Sequence, residues 1–316
     1  MATTNPIRFS EMNTTLRLAA MISAEISLLL KDTGNLRNSP HISFLGDITG
    51  TGSDTLRIRR AGLDGYDNME SPANEVAALT AQALSVFKTD VTAARIGLMY
   101  QISDLATMTG FGGSDVDPFR LALSMSGSYE KKFASLTAAA ASAGFTGTPK
   151  GSNVSQFSVD DWFSGIYALE MAGSSQAGVA GGYFAVLMSK AITELQDSLR
   201  NETSNAVSIA NQTQEMLRAK GQNFMGTLFG VDLYKSSLVT ANGSSGYDNF
   251  MAGSGALGYI SGAPILAGAS EVVQAGPVAV EFERTGAEAL TSVIGHAYLG
   301  VAVVDADKGI LINSAQ

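Results

Sequence analysis

Apolar residues along this chain recur with a helical period, then with a period of two, then helically again. From Asn13 to Lys31, the residues Leu16, Ala19, Ala20, Ser23, Ile26, Ser27 and Leu30 trace a small-residue helical face that Gly34 would end. Such a helix either folds back on the body or lies against a neighbouring subunit. Between Pro40 and Asp104 the period becomes two. Ala94, Ile96, Leu98, Tyr100 and Ile102 alternate with Arg95, Gly97, Met99 and Gln101, and Leu56 and Ile58 alternate with Arg57 and Arg59. The pattern predicts two half-buried strands, 94–102 paired with 54–60, at the ends of a long hairpin-like excursion. Its middle, Ala61 to Asp90, holds Gly62, Gly65, Pro72 and the acids Asp64, Asp67, Glu70 and Glu75.

The best-punctuated element is a helix from Pro118 to Ala143. Asp117 is placed to cap it, Pro118 suits the first helical position, and Gly144 offers a left-handed stop. Phe119, Leu123, Tyr129, Phe133, Leu136 and Ala140 mark its buried face, with Arg120, Glu130 and Lys131 turned to water. At 1.5 Å per residue the rod is about 39 Å long, so flanking elements or another subunit must cover it. Ser103 to Gly113 is a turn-rich approach, and Thr146–Asn153 a polar exit.

Ser158 and Asp161 have capping-box spacing and open a helix through Trp162, Ile166 and Leu169 that Gly173 closes. Tyr183–Met188 reads as a buried strand, Ser189 begins a helix through Ile192, Leu195 and Leu199, and a polar helix over Thr203–Ala219 ends at Gly221. Leu228–Tyr234 reads as a turn into a strand, and Ala241–Gly255 as a Gly/Ser-rich loop. Val278–Arg284, Ser292–Val304 and Gly309–Asn313 are β-type runs split by Gly286, Gly295 and the turn Asp305–Lys308. Helices and strands in this order make the fold class α+β.

Composition narrows the chemistry. Charged residues are only 16% of 316, against 34 glycines, so the surface is largely neutral and finely textured, as suits broad contacts with copies of itself. Cysteine is absent, which removes disulfides, thiolate nucleophiles and sulfur-ligated metals. His41 and His296 have no metal-binding spacing and read as hydrogen-bonded structural residues. The net charge is −9, with residues 1–60 at +2 and the remainder at −11. An acidic body argues against tight nucleic-acid binding but suits the lining of a container for DNA. Leu16–Leu30 contains Arg17 and Glu25 and is too short for a membrane span, so cytoplasmic synthesis is expected.

Gly253, Gly255 and Gly258 match the spacing of a dinucleotide fingerprint, but no strand precedes them and no helix follows, so they read as loop. Asp160 and Asp161 suit a helix N-terminus, and Asp305 and Asp307 a turn beside Lys308 and Gly309. Nothing assembles a nucleophile, base and orienter, so the chain reads as no enzyme, with no cofactor and no metal.

Several short runs, in their order and spacing, resemble the major capsid proteins of tailed bacteriophages, the Hong Kong 97-like fold. The carriers are Val91–Asp104 leading into the long helix, Tyr183–Ser189, Gly226–Ser236, Val278–Arg284, Gly300–Asp305 and Gly309–Ser314. The resemblance implies an N-terminal arm (1–40), an extended β loop (41–104), a peripheral domain built on the long spine helix (105–153) with the terminal strands (271–316), and an axial domain (154–270). It further implies self-assembly as hexamers and pentamers into an icosahedral virion shell in the host cytoplasm. That shell would enclose double-stranded DNA without sequence-specific binding. Implied partners are a separate scaffolding protein, a portal and a cement protein, with no membrane. Arg57, Arg59 and Arg60 on the extended loop are expected to meet Asp64, Asp67, Glu70 or Glu283 of neighbouring subunits, and the 241–255 loop to pack near the capsomer axis. Within the same fold the alternative is an encapsulin, a bacterial compartment shell; outside it, a small-molecule α/β enzyme.

Overall fold

Ala122, Met125, Ser126, Tyr129, Glu130, Phe133, Ala134, Thr137, Ala138 and Ala141 are all buried, spaced by three and four along the long helix Pro118–Gly144. This computed structural model describes residues 22, 24–29, 36–62, 85–103, 118–171, 182–201, 223–242, 246–262, 272–274, 277–285, 288 and 290–315. The buried stripe differs from the expected one: Leu123 is exposed, and Glu130 is buried. Apolarity alone misplaced the face by part of a turn, because Glu130 brings its own counter-ion to the interior. Gly144 is the last helical residue, with no left-handed φ. A Cβ there would lie 2.6 Å from a Val303 methyl, so close packing, not a chain reversal, calls for glycine. Asp117, Phe119's side chain and the 104–113 approach lie outside the described residues, as do Gly34, Gly173, Gly286 and the 203–221 helix.

A six-stranded sheet holds β1 (Ser43–Asp47), β11 (Leu257–Gly262), β14 (Leu290–Val303), β13 (Ala279–Thr285) and β12 (Val272–Gln274) in that order, with β4 (Ala94–Ser103) also bonded to β14. The long helix lies against β14. Gly295, expected to interrupt that strand, sits inside it, and a Cβ there would come within 3.1 Å of the Met125 sulfur. A seven-stranded sheet runs β5 (Lys150–Gly151), β15 (Gly309–Ala315), β10 (Gly246–Gly253), β6 (Tyr183–Leu187), β8 (Val231–Lys235) and β7 (Phe224–Leu228), with β9 (Thr240–Asn242) on β10.

Both faces of the second sheet are covered, which explains its unbroken apolar runs. On β6, Phe184 and Val186 join the core under the long helix, while Ala185 and Leu187 join a second core with Trp162, Leu169 and Leu195. Those last residues come from the helices Val159–Met171 and Ser189–Asn201. The capping box forms as expected: Asp161 Oδ2 accepts from the Ser158 amide at 3.0 Å, and the Asp161 amide donates to Ser158 Oγ at 3.2 Å.

Ala241–Gly255 is no loop: it supplies β9 and β10, the latter buried along most of its length. Its polar composition has structural uses. Asn249 accepts from the Met188 amide at 2.7 Å and donates to the Ile312 carbonyl at 3.1 Å and to Ser314 Oγ at 2.8 Å, tying β10 to β15 and to the start of a helix. A Cβ on Gly246 would lie 2.7 Å from the Ser314 carbonyl oxygen. The 254–256 turn carries the chain from one sheet to the other, so Gly253, Gly255 and Gly258 have a strand on each side and no helix for a pyrophosphate. Likewise β7, absent from the expected elements, pairs with β8 through Phe229 and Gly230, both at positive φ.

The expected hairpin has a different partner. β2 (Thr55–Gly62) pairs with β3 (Ser85–Thr92), not with 94–102, and these two strands form a separate ribbon. β4 pairs with β14 over its whole length instead. The alternation correctly identified both strands but carries no information on which edge each one meets.

Candidate functional site

The β2–β3 ribbon is a candidate contact surface, since among the described residues its two strands pair only with each other. Its inner face, Leu56 and Ile58, packs at the base with Val91, Ala93, Ile260 and Tyr298. The Ala93 amide donates to the Asp54 carbonyl at 2.8 Å, and the Thr55 and Thr92 hydroxyls meet at 3.0 Å, closing the two strands where they leave the body. Eight residues per strand carry the ribbon about 27 Å.

Its outer face bears charge. Arg57 donates through Nε and Nη2 to the two carboxylate oxygens of Asp90, both at 2.7 Å, across the strands. That fork holds the Asp90 carboxyl below its ordinary range and raises the Arg57 guanidinium, chiefly by hydrogen bonding. Arg57 therefore has a carboxylate partner within its own chain. Arg59 stands directly opposite Lys88, both exposed, a like-charge pair that weakens the isolated ribbon. Three cations against one carboxylate make this face positive on an acidic chain. Arg60 lies in β2, opposite Phe87. Asp64, Asp67 and Glu70 lie outside the described residues; Glu283 is exposed on β13 of the six-stranded sheet, apart from the ribbon.

Sequence reasoning missed two buried polar nodes. At the first, His41 Nε2 faces Asp232 at 2.9 Å and Nδ1 faces Ser254 Oγ at 3.2 Å, while the ring stacks on Phe184. These are the residue types of a hydrolytic triad, but His41 is 1% exposed. The Ser254 amide already donates to the Gly182 carbonyl at 3.1 Å and the Gly255 amide to the His41 carbonyl at 2.8 Å, so neither of these amides is left for an oxyanion. The node ties the N-terminal segment to the turn between sheets, the structural role expected of His41. His296 is similarly held, by Glu281 at 3.1 Å and Arg95 at 3.0 Å.

At the second node, Arg37 Nε meets Glu130 at 3.0 Å beside Tyr129 and Tyr259. Burial alone would lower the Arg37 guanidinium, but Glu130 outweighs it and the net shift is upward. Residues 22 and 24–29 form a helical stretch whose Ile22 and Ile26 enter the main core, so this segment folds back on its own body.

Burial also raises the hydroxyls of Tyr129, Tyr259 and Tyr234, the last to about 12. The folded state holds these protons more tightly than the unfolded one, so their contribution is complete below about pH 10 and is lost as pH rises toward the folded values. Denaturant unfolding between pH 8 and 12 should show stability falling by about 1.4 kcal/mol per pH unit for each tyrosine that ionises only on unfolding. A flat profile through that window would refute the assignment.

No protein-family model and no curated protein matches this chain. Solved structures do. The mature capsid of bacteriophage PhiM1 superposes with a TM-score of 0.57 at 11% identity, covering 87% of this chain and 86% of that one. The SrpI encapsulin complex of Synechococcus elongatus PCC 7942 gives 0.58 at 12%, covering 87% and 85%. A virus-like particle from Pyrococcus furiosus gives 0.53 at 10%, covering 94% and 97%. With this long helix, two sheets and protruding ribbon, the chain has the α+β Hong Kong 97-like capsid fold.

Proposed function

We propose that this chain is a shell subunit, the major capsid protein of a tailed bacteriophage, assembling as hexamers and pentamers into an icosahedral container for double-stranded DNA. One observation carries the reading beyond fold likeness: a ribbon packed on the body at its base, with an Arg59–Lys88 like-charge pair on its outer face that makes no ion pair among the described residues. Such a ribbon is poorly stabilised within one subunit and suits acidic residues of another copy, Asp64, Asp67, Glu70 or Glu283. Each exposed ion pair contributes about 0–1 kcal/mol, but a closed shell repeats it at every equivalent contact. The division into N-terminal arm, extended loop, peripheral and axial domains belongs to the same proposal, as do a scaffolding protein, a portal and a cement protein as partners. The acidic chain would enclose DNA without adhering to it.

Likeness to the SrpI complex supports a second reading, an encapsulin-type compartment shell. Purified particles separate the two: nuclease-protected DNA favours the capsid, packaged protein the compartment. Assembly itself is tested by Arg59→Glu with Arg60→Glu. The monomer should keep its melting temperature, while negative-stain microscopy and sedimentation should show shells lost. An undiminished shell yield would exclude the ribbon as an assembly contact.

A further inference from the structure

Between the long helix and strands β4 and β14 lies a cleft of about 400 Å³. Glycine hollows the sheet beneath it: a Cβ on Gly97 would come within 3.3 Å of the Gly295 carbonyl oxygen, and one on Gly295 within 3.1 Å of the Met125 sulfur. Its walls are apolar at Leu98, Met125 and Val278, and three side-chain donors line it: Arg95, Ser128 and Lys132.

None of the three has an acidic partner among the described residues. Arg95 Nη2 lies 3.0 Å from His296 Nδ1. Because a guanidinium only donates, Nδ1 is the acceptor, and Nε2 carries the proton that faces Glu281 at 3.1 Å. The arginine is thus oriented by a neutral imidazole and keeps its charge. Lys132 and Ser128 make no hydrogen bond or ion pair among the described residues. Convergent donors over an apolar floor are how small-molecule sites are built.

We propose that this cleft binds an organic carboxylate with an apolar body, its head between Arg95 and Lys132 and its body against Met125 and Val278. Ser128 supplies a further donor to the head. The site is complete within one subunit and does not rest on the assembly reading.

Octanoate is a suitable probe, titrated calorimetrically into the full chain, with acetate and octan-1-ol testing head and body separately. Saturable binding at one site per chain is expected, with each control weaker by about tenfold or more. Lys132→Ala and Arg95→Ala should each weaken octanoate by about tenfold. Lys132 is exposed, so its variant stays folded even if Arg95→Ala disturbs His296. Absence of saturation, octan-1-ol binding as tightly as octanoate, or unchanged affinity in Lys132→Ala would each overturn the proposal.

Discussion

Replacing Glu130 by alanine should destabilise the subunit by about 3 kcal/mol, although alanine is the better helix former. The loss comes from Arg37, whose side chain is 17% exposed and would keep its charge without the carboxylate now 3.0 Å away. Arg37 begins where the Leu36–Asn38 turn packs against the long helix, so the variant should loosen the N-terminal segment first. Glu130→Gln, which retains an acceptor, should lose less. Replacing both Arg37 and Glu130 by methionine removes the stranded charge and should recover most of the stability, since a buried ion pair is worth little relative to good apolar packing. Denaturant melts of the single and double variants measure this directly. A loss below about 1 kcal/mol in Glu130→Ala would show that water or Tyr259 satisfies Arg37 unaided.

Gly300→Ala should cost about 2–3 kcal/mol and release the ribbon from the body. A Cβ there would lie 2.4 Å from the Thr92 carbonyl oxygen, 2.8 Å from its carbon and 3.1 Å from the Ala93 Cα, all backbone atoms that no rotamer can move. Thr92 and Ala93 join β3 to β4, and Ile260, opposite Gly300 on β11, shares a cluster with Val91 and Ala93. Pushing this junction away uncovers the apolar cluster at the ribbon's base. Hydrogen exchange in β2 and β3 should rise while the seven-stranded sheet stays protected, and shell yield should fall. Gly127→Ala is the control: nothing lies within 4 Å of its Cβ, so the same change should stabilise the long helix by about 0.5–1 kcal/mol. If Gly300→Ala melts like the parent, the ribbon junction is more compliant than its geometry implies.

Much of the local architecture is legible in the chain because local physics determines it. The capping box at Ser158 and Asp161, the buried run Tyr183–Leu187, the Asp305 turn that accepts from the Asp307 amide, and the strands after Val278 all follow from spacing within a few residues. Alternation likewise marked Leu56 and Ile58 as inward and Arg57 and Arg59 as outward, so the charged face of the ribbon could be named in advance.

What a strand pairs with is a different kind of fact. A period of two states which face is buried, and 54–60 and 94–102 carry the same period, yet the first pairs with 85–92 and the second with β14, nearly two hundred residues along. Glycine was ambiguous for a related reason. Gly144 and Gly295 resemble breaks in a one-dimensional reading, but each marks a place where a distant segment leaves little room for a Cβ. The charges of Glu130 and Asp232 resemble surface residues until Arg37 and His41 arrive from the N-terminal segment. The chain by itself therefore determines its helices, its inward and outward faces and its lack of sulfur chemistry, because these depend on residue type and short spacing. Strand partners, buried ion pairs and the cleft between the long helix and β14 were decided only by tertiary structure, since each joins groups remote in sequence whose meeting leaves no periodic trace.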